Sequence, residues 1–357
     1  MVTDGCNDDR LAKCRDVDAH ARPLAGVAGD ERLGERSDSN ASLTAQRDSL
    51  GRVMADWNGV PAPVPTARSF DKMAKANLAK RIWRRTTNSI RLASVAARSD
   101  AVLVSYPKSG RTWFRFILST YFARAFGLGL DVDLHSMFTV LPNFDMDPVR
   151  GFPAFAFGQF RPKLPLVPVS HLGHQRRLFL NRPVIFMVRD PRDLIVSAYF
   201  HATRQKHRFQ GDIGQFISDR DHGLPSLVRY LNGWSAGVAA RRAHVLSYEN
   251  LSSNTEHETA KVLSFLGCEI NLPELARAVE ASRFSSMQEQ ERSMGLPAHD
   301  YDRSDSESLR MRRGQVGGFA DYLDVKQIAM IEGTCARELT LAAKKLLAST
   351  GLPLAAC

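Results

Sequence analysis

From residue 101 the hydrophobic pattern of the chain falls into units of strand, turn and buried helix. AVLVSY at 101–106 is a β-branched run of strand length, PKSGRT at 107–112 is a turn, and WFRFILSTYFARAF at 113–126 is apolar almost all round, as a buried helix requires. The unit recurs at 184–200. VIFMV reads as a buried strand, and Asp190, Pro191 and Asp193 then supply a cap, a first helical residue and an acid in the first turn. A further strand-like run, PLVPVS at 165–170, ends at His171. Strands alternating with helices predict an α/β domain with a parallel β-sheet flanked by helices.

The first 65 residues break this pattern. They hold 11 Leu, Ile, Val or Phe and one aromatic, Trp57, too little apolar surface to offset the entropy of ordering, so a disordered N-terminal arm is expected over 1–65. VPAPVP at 60–65 reads as an extended hinge, because its prolines remove amide donors and restrict their neighbours. Over 69–97, Ser69 offers a cap, and Phe70, Met73, Leu78, Ile82 and Trp83 form a stripe among cations, which predicts one or two basic amphipathic helices. The expected organisation is an arm at 1–65, a basic helical segment at 66–98 and the main domain at 99–350.

Composition adds bounds. With 357 residues, 44% hydrophobic and 24% charged, the chain is composed like a soluble globular protein with a sizeable core. No run approaches the roughly 18 apolar residues of a membrane-spanning helix. The opening MVTDGCNDDRLAKC places acids where a secretory signal needs a basic patch, so a cytoplasmic location is expected. Cys6, Cys14, Cys268, Cys335 and Cys357 show no C-x-x-C spacing and are expected as free thiols.

The net charge of +10 is unevenly spread: −3 over 1–65, +8 over 66–98 and +5 over the remainder. A positive balance suits a polyanionic partner such as nucleic acid, an anionic membrane surface or a phosphorylated ligand. The 66–98 segment either makes peripheral membrane or nucleic-acid contact or packs its stripe on the main domain with its cations in solvent.

Two places carry candidate chemistry. At 106–113 a glycine-containing loop enters a helix, whose first N–H groups and dipole form an anion site. Lys108 adds a charge, Ser109 and Thr112 add hydroxyls, and Gly110 lets backbone approach a phosphate. The G-x-x-x-x-G-K-[ST] string is absent, which disfavours ordinary ATP hydrolysis. At the second unit, Arg189 ends a strand and Ser197 follows eight residues later, both able to face the crevice outside the strands' carboxyl ends.

YPKSGRTW at 106–113 resembles, in seven of eight letters, the Y-P-K-S-G-T-T-W motif of cytosolic-type sulfotransferases, which use 3′-phosphoadenosine 5′-phosphosulfate (PAPS). Arg111 replaces the first threonine of that motif, either adding a phosphate contact or pointing outward. VIFMVRDPRDLIVSAYF at 184–200 is similar to the family's second signature, in which the strand-end arginine and the serine eight residues on hold the 3′-phosphate. HVLSYENL at 244–251 resembles Y-E-D-L, with Tyr248 near the adenine. SRFSSM at 282–287 resembles T-S-F-x-x-M, with Ser282 and Phe284 on the base. MRRGQVGGF at 311–319 resembles R-K-G-x-x-G-D-W, giving Arg312, Arg313 and Gly314 to the 3′-phosphate, while Gly318 and Phe319 replace Asp-Trp.

The resemblance implies a single P-loop-like domain that transfers a sulfuryl group from PAPS to a hydroxyl, releases adenosine 3′,5′-bisphosphate (PAP) and needs no metal. The nucleotide falls to Lys108, Ser109, Gly110, Arg111, Thr112, Trp113, Arg189, Ser197, Tyr248, Ser282, Phe284, Arg312, Arg313 and Gly314. Lys108, His171 and Ser197 form the implied catalytic set. His171, in a segment that resembles the family's K-T-H-L-P, is the expected base, with His174 as its competitor. Phe138, Phe144, Phe152, Phe155, Phe157 and Phe160 are expected to favour a hydrophobic alcohol or phenol as acceptor, or else to form core beneath a loop. Non-catalytic binding of the nucleotide or of RNA on the same fold is the alternative, with a nucleotide kinase as a further rival. No specific nucleic acid is expected, and the oligomeric state is left open.

Overall fold

A computed structural model of the chain describes residues 86–156, 164–179 and 181–354. The expected arm at 1–65, its hinge, the stripe from Phe70 to Trp83, Phe157 and Phe160, and Cys6, Cys14 and Cys357 lie outside the described residues. Of the basic segment, 86–98 is helical, with Ala96 buried against the core and Ile90 exposed.

Four parallel strands form the sheet: β1 (Val102–Ser105), β2 (Val169–Ser170), β3 (Val184–Val188) and β4 (Ala243–Ser247), in the order β2-β1-β3-β4. Helix α1 (Arg111–Ala125) follows β1, α2 (Pro191–Phe200) follows β3 and α3 (Leu224–Ala239) leads into β4. Then come α4 (Tyr248–Ser253), α5 (Thr255–Phe265), α6 (Leu272–Ala281), α7 (Phe284–Met294) and α8 (Val325–Glu338).

Successive strand residues point to opposite faces, and both faces are covered, which is why the strands read as unbroken apolar runs. Val102, Val104, Val184, Phe186 and Val188 pack against α2 and α3, around the fully buried Trp234. Leu103, Ile185, Met187 and Leu246 pack on the other side against α1, α5 and α6. Helix α1 is buried from Phe114 to Ala123, as its all-round apolar pattern predicts.

The chain steps from β1 outward to β2, then crosses back to β3 on the opposite side of β1. That reversal leaves a crevice beyond the carboxyl ends of β1 and β3, where open parallel sheets bind ligands. The strands expected at 101–106 and 184–188 and the Asp190 cap, whose side chain accepts from the Arg192 N–H, are present, whereas PLVPVS is strand only at Val169–Ser170. Among the described residues no helix is long and apolar enough to cross a membrane, and Cys268 and Cys335 are free thiols.

Candidate active site

The loop between β1 and α1 forms the floor of the crevice. Lys108 takes a left-handed conformation, φ 73°, and Gly110 does so at φ 90°, turning the chain sharply into the first turn of α1. A Cβ at residue 110 would run into the Tyr248 ring, so only glycine fits there. The Ser109 hydroxyl donates to the Tyr106 carbonyl at 3.0 Å and closes the loop on itself.

Arg189, at the end of β3, is brought to the same place. Its NH1 donates to the Lys108 carbonyl at 3.4 Å, its NH2 donates to the Gln315 carbonyl at 3.3 Å, and its guanidinium lies 4.4 Å over the Tyr248 ring. The Asp193 carboxylate is 3.8 Å from Arg189 and accepts the Gly317 and Phe319 N–H groups, both at 2.8 Å. The 310–319 segment is thereby tied to the start of α2.

That segment closes the other side of the cavity. Arg312 pairs with Glu307 at 2.9 Å and stacks on the Phe200 and Tyr322 rings; Arg313 pairs with Asp321. Gly314, at φ 64°, lies against the Phe284 ring. Glu291, fully buried in α7, accepts from the Arg310 and Met311 N–H groups at 2.7 and 2.9 Å and from the Tyr301 hydroxyl.

One cavity therefore takes in Lys108, Gly110, Arg111, Thr112, Trp113, His171, Arg189, Ser197, Tyr248, Phe284, Arg312, Arg313 and Gly314. Its electrostatics are those of a polyanion site. Burial pushes the Lys108 ammonium down to about 7, with Arg310 and Arg189 adding to the effect and Glu291 opposing it. Burial likewise pushes Arg111 down to about 9. The Nε atoms of Arg189 and Arg310 are buried without a hydrogen-bond partner among the described residues.

A second cavity, about 470 Å³, shares Lys108 and His171 with the first. The His171 Nδ1 lies 2.8 Å from the Ser105 carbonyl. A carbonyl only accepts, so this contact places the ring proton on Nδ1 and leaves the Nε2 lone pair free. Burial and the Arg111 charge hold His171 well below the usual imidazole range, which keeps it neutral. His174 has another role: its Nε2 accepts from Arg241 at 3.0 Å, its ring packs on Trp234, and it lines neither cavity.

Some sequence expectations need correcting. Ser109 is buried with its hydroxyl spent inside the loop, and its side chain does not line the cavity. Ser282 is buried too; its hydroxyl donates to the Val279 carbonyl at 2.7 Å, and its own carbonyl accepts from the Trp113 indole N–H. It supports Trp113, and its side chain does not line the cavity. Phe138, Phe144, Phe152 and Phe155 pack in or against the core clusters, and none lines either cavity.

Sequence reading missed Arg310, Glu291, Lys206 and His201. LRMRRG holds a third arginine two residues before the pair, and a lone buried acid in a polar helix leaves no pattern. The π-helical turn His201–Gln205, which continues α2 and turns His201 and Lys206 into the second cavity, has no sequence signature. Among the described residues no group of three or more His, Cys, Asp or Glu could hold a metal ion.

Known proteins similar to this chain are sulfotransferases. The guinea pig (Cavia porcellus) 3-alpha-hydroxysteroid sulfotransferase is 28% identical over 242 residues, 64% of this chain and 79% of that protein. Human sulfotransferase 2A1 is 25% identical over 255 residues, 68% of this chain and 85% of its own length. Cytosolic sulfotransferase 1 of Danio rerio is 25% identical over 296 residues, 74% and 88%. Among solved structures, mouse sulfotransferase SULT7A1 complexed with PAP aligns with a TM-score of 0.49 at 20% identity, covering 70% of this chain and 88% of that one. The sequence model of the sulfotransferase domain matches residues 98–344, well over half of the protein, so this chain belongs to the PAPS-dependent sulfotransferase family.

Proposed function

We propose that this enzyme moves the sulfuryl group of PAPS onto the hydroxyl of a small, largely apolar acceptor, an alcohol or phenol, with His171 as general base. The observation that carries this reading is that two cavities meet at Lys108 and His171, one rich in arginine and backed by aromatic rings, the other walled by Tyr106, Phe216 and Tyr230.

The donor nucleotide belongs in the first cavity. The orphaned Nε atoms of Arg189 and Arg310 and the depressed Lys108 are groups that gain from an anion, so the residues present fit a doubly phosphorylated nucleotide. Its 5′ end lies on the loop at 106–113, and its 3′-phosphate lies with Arg189, Ser197, Arg312 and Arg313. Phe284, stacked against Gly314, and Trp113, beside Tyr248, offer faces to the base.

In the reaction the His171 Nε2 takes the acceptor's proton as its oxygen attacks sulfur. The new O–S bond forms while the bond from sulfur to the 5′-phosphate oxygen breaks, and Lys108 neutralises the charge that develops on that oxygen. PAP and a sulfate ester leave. We also assign the protein to the cytoplasm, in keeping with the cytosolic sulfotransferase of Danio rerio that it resembles, and the folded unit to 99–350.

Incubation with radiolabelled PAPS and a panel of phenols, steroids and alkanols tests the reading, with Lys108→Ala losing at least two orders of magnitude in turnover. Tight PAP binding with no label transferred to any acceptor would leave a nucleotide-binding module instead.

A further inference from the structure

Resting on that reading, we propose that the acceptor carries an anionic group beside its apolar body, and that Lys206 in the second cavity receives it. The cavity joins aromatic walls to a cationic rim. Lys108, Lys206, Arg208 and Arg229 line it against one carboxylate, Asp221. The 5′ end of the donor takes Lys108, and the other three cations remain for the acceptor. Arg208 and Arg229 are exposed at the mouth, whereas Lys206 is half-buried where the π-helical turn ends.

A second observation comes from the cluster behind Lys206. The ammonium nitrogen of Lys206 is 2.6 Å from the His299 Nδ1, and NH2 of Arg310 is 2.9 Å from the His299 Nε2. Arginine only donates, so Nε2 accepts and the single ring proton of a neutral His299 sits on Nδ1. That proton then faces an N–H of Lys206, a contact that holds only if Lys206 gives up its own proton. Burial and the Arg310 charge already lower the Lys206 affinity for protons. Burial and the Arg310 and Lys206 charges push His299 down to about 3, so the imidazole cannot relieve the conflict by charging. Drawn toward an anion in the cavity, Lys206 keeps its proton and the conflict ends. The groups facing it from the packed elements are His201, Arg208 and Lys108 on the cavity side and His299 with Arg310 behind, and among the described residues no carboxylate pairs with it.

The experiment uses matched acceptors that differ by one carboxylate: 4-ethylphenol with 3-(4-hydroxyphenyl)propanoate, and 1-dodecanol with 12-hydroxydodecanoate. Binding to the full chain saturated with PAP is measured by calorimetry, and sulfate transfer from labelled PAPS is measured in parallel. The carboxylate member of at least one pair is expected to bind about tenfold tighter at low salt, with the preference shrinking as salt rises. Lys206→Gln should cut that preference at least fivefold, and Lys206→Arg should restore most of it. PAP affinity of each variant reports that it has folded. Equal or weaker binding of both carboxylates, no binding of any probe, or a Lys206→Gln effect equal on both members of a pair overturns the inference. A carboxylate preference without sulfate transfer would sink the sulfotransferase reading, and with it the acceptor, leaving only an anion site at Lys206; transfer without preference would overturn the inference alone.

Discussion

The guanidinium of Arg189 lies 4.4 Å over the ring of Tyr248, and the same ring fills the space that a side chain at residue 110 would need. One aromatic residue, delivered from the end of β4, therefore sets both the phosphate loop and the strand-end arginine. A cation over an aromatic face contributes about 1 kcal/mol, more when desolvated. Tyr248→Ala is expected to weaken PAP binding roughly tenfold, and Tyr248→Phe, which keeps the ring, to weaken it less; titration calorimetry on both variants decides whether the ring or its hydroxyl matters.

Lys108 is expected to make nucleotide binding pH-dependent. In the free protein its ammonium is pushed down to about 7, and a bound phosphate favours the charged form. Affinity for PAP should be flat below pH 7 and fall above it, by up to about tenfold per pH unit, with proton uptake on binding. Calorimetry at pH 8 in buffers of different ionisation enthalpy reads that uptake, which Lys108→Met should abolish. The same shift acts on stability with opposite sense. Between pH 7 and 10.5 the unfolded chain binds the Lys108 proton and the folded chain does not, so stability rises with pH over that window. The Tm of wild type should gain on that of Lys108→Met between pH 7 and 9.5.

His171 is held neutral by burial and by Arg111, so it is ready to accept a proton throughout the physiological range. The acidic limb of kcat should then show no inflection near 6.5, where an ordinary imidazole titrates. His171→Gln is expected to lower kcat by roughly 10²–10⁴ with PAP still bound. His174→Gln, which would disturb the Arg241 contact, should act on stability instead; thermal melts and a pH–rate profile separate the two.

Glu291 acts from α7 on the far side of the cavity. It positions the Arg310 and Met311 backbone, and its loss leaves two buried N–H groups and the Tyr301 hydroxyl without their acceptor. Glu291→Ala should cost about 2 kcal/mol or more in stability by denaturant unfolding. It should also weaken PAP binding, because the 310–314 segment loses its anchor.

What the sequence by itself determined is local: the strands at 102–105 and 184–188, the sharp turn at Gly110 and the Asp190 cap. Each follows from residues adjacent in the chain, whose periodicity and backbone freedom need no partner to be read. The tertiary structure decided what depends on distant segments meeting. It turned Ser282 behind Trp113, drew the four described phenylalanines into or against the core, put His171 but not His174 on the cavity walls, and brought Arg310, Glu291 and Lys206 to cavities that no spacing foretold. Side-chain direction at these positions is set by which helix packs on which face of the sheet, and that comes from long-range burial rather than from any local pattern.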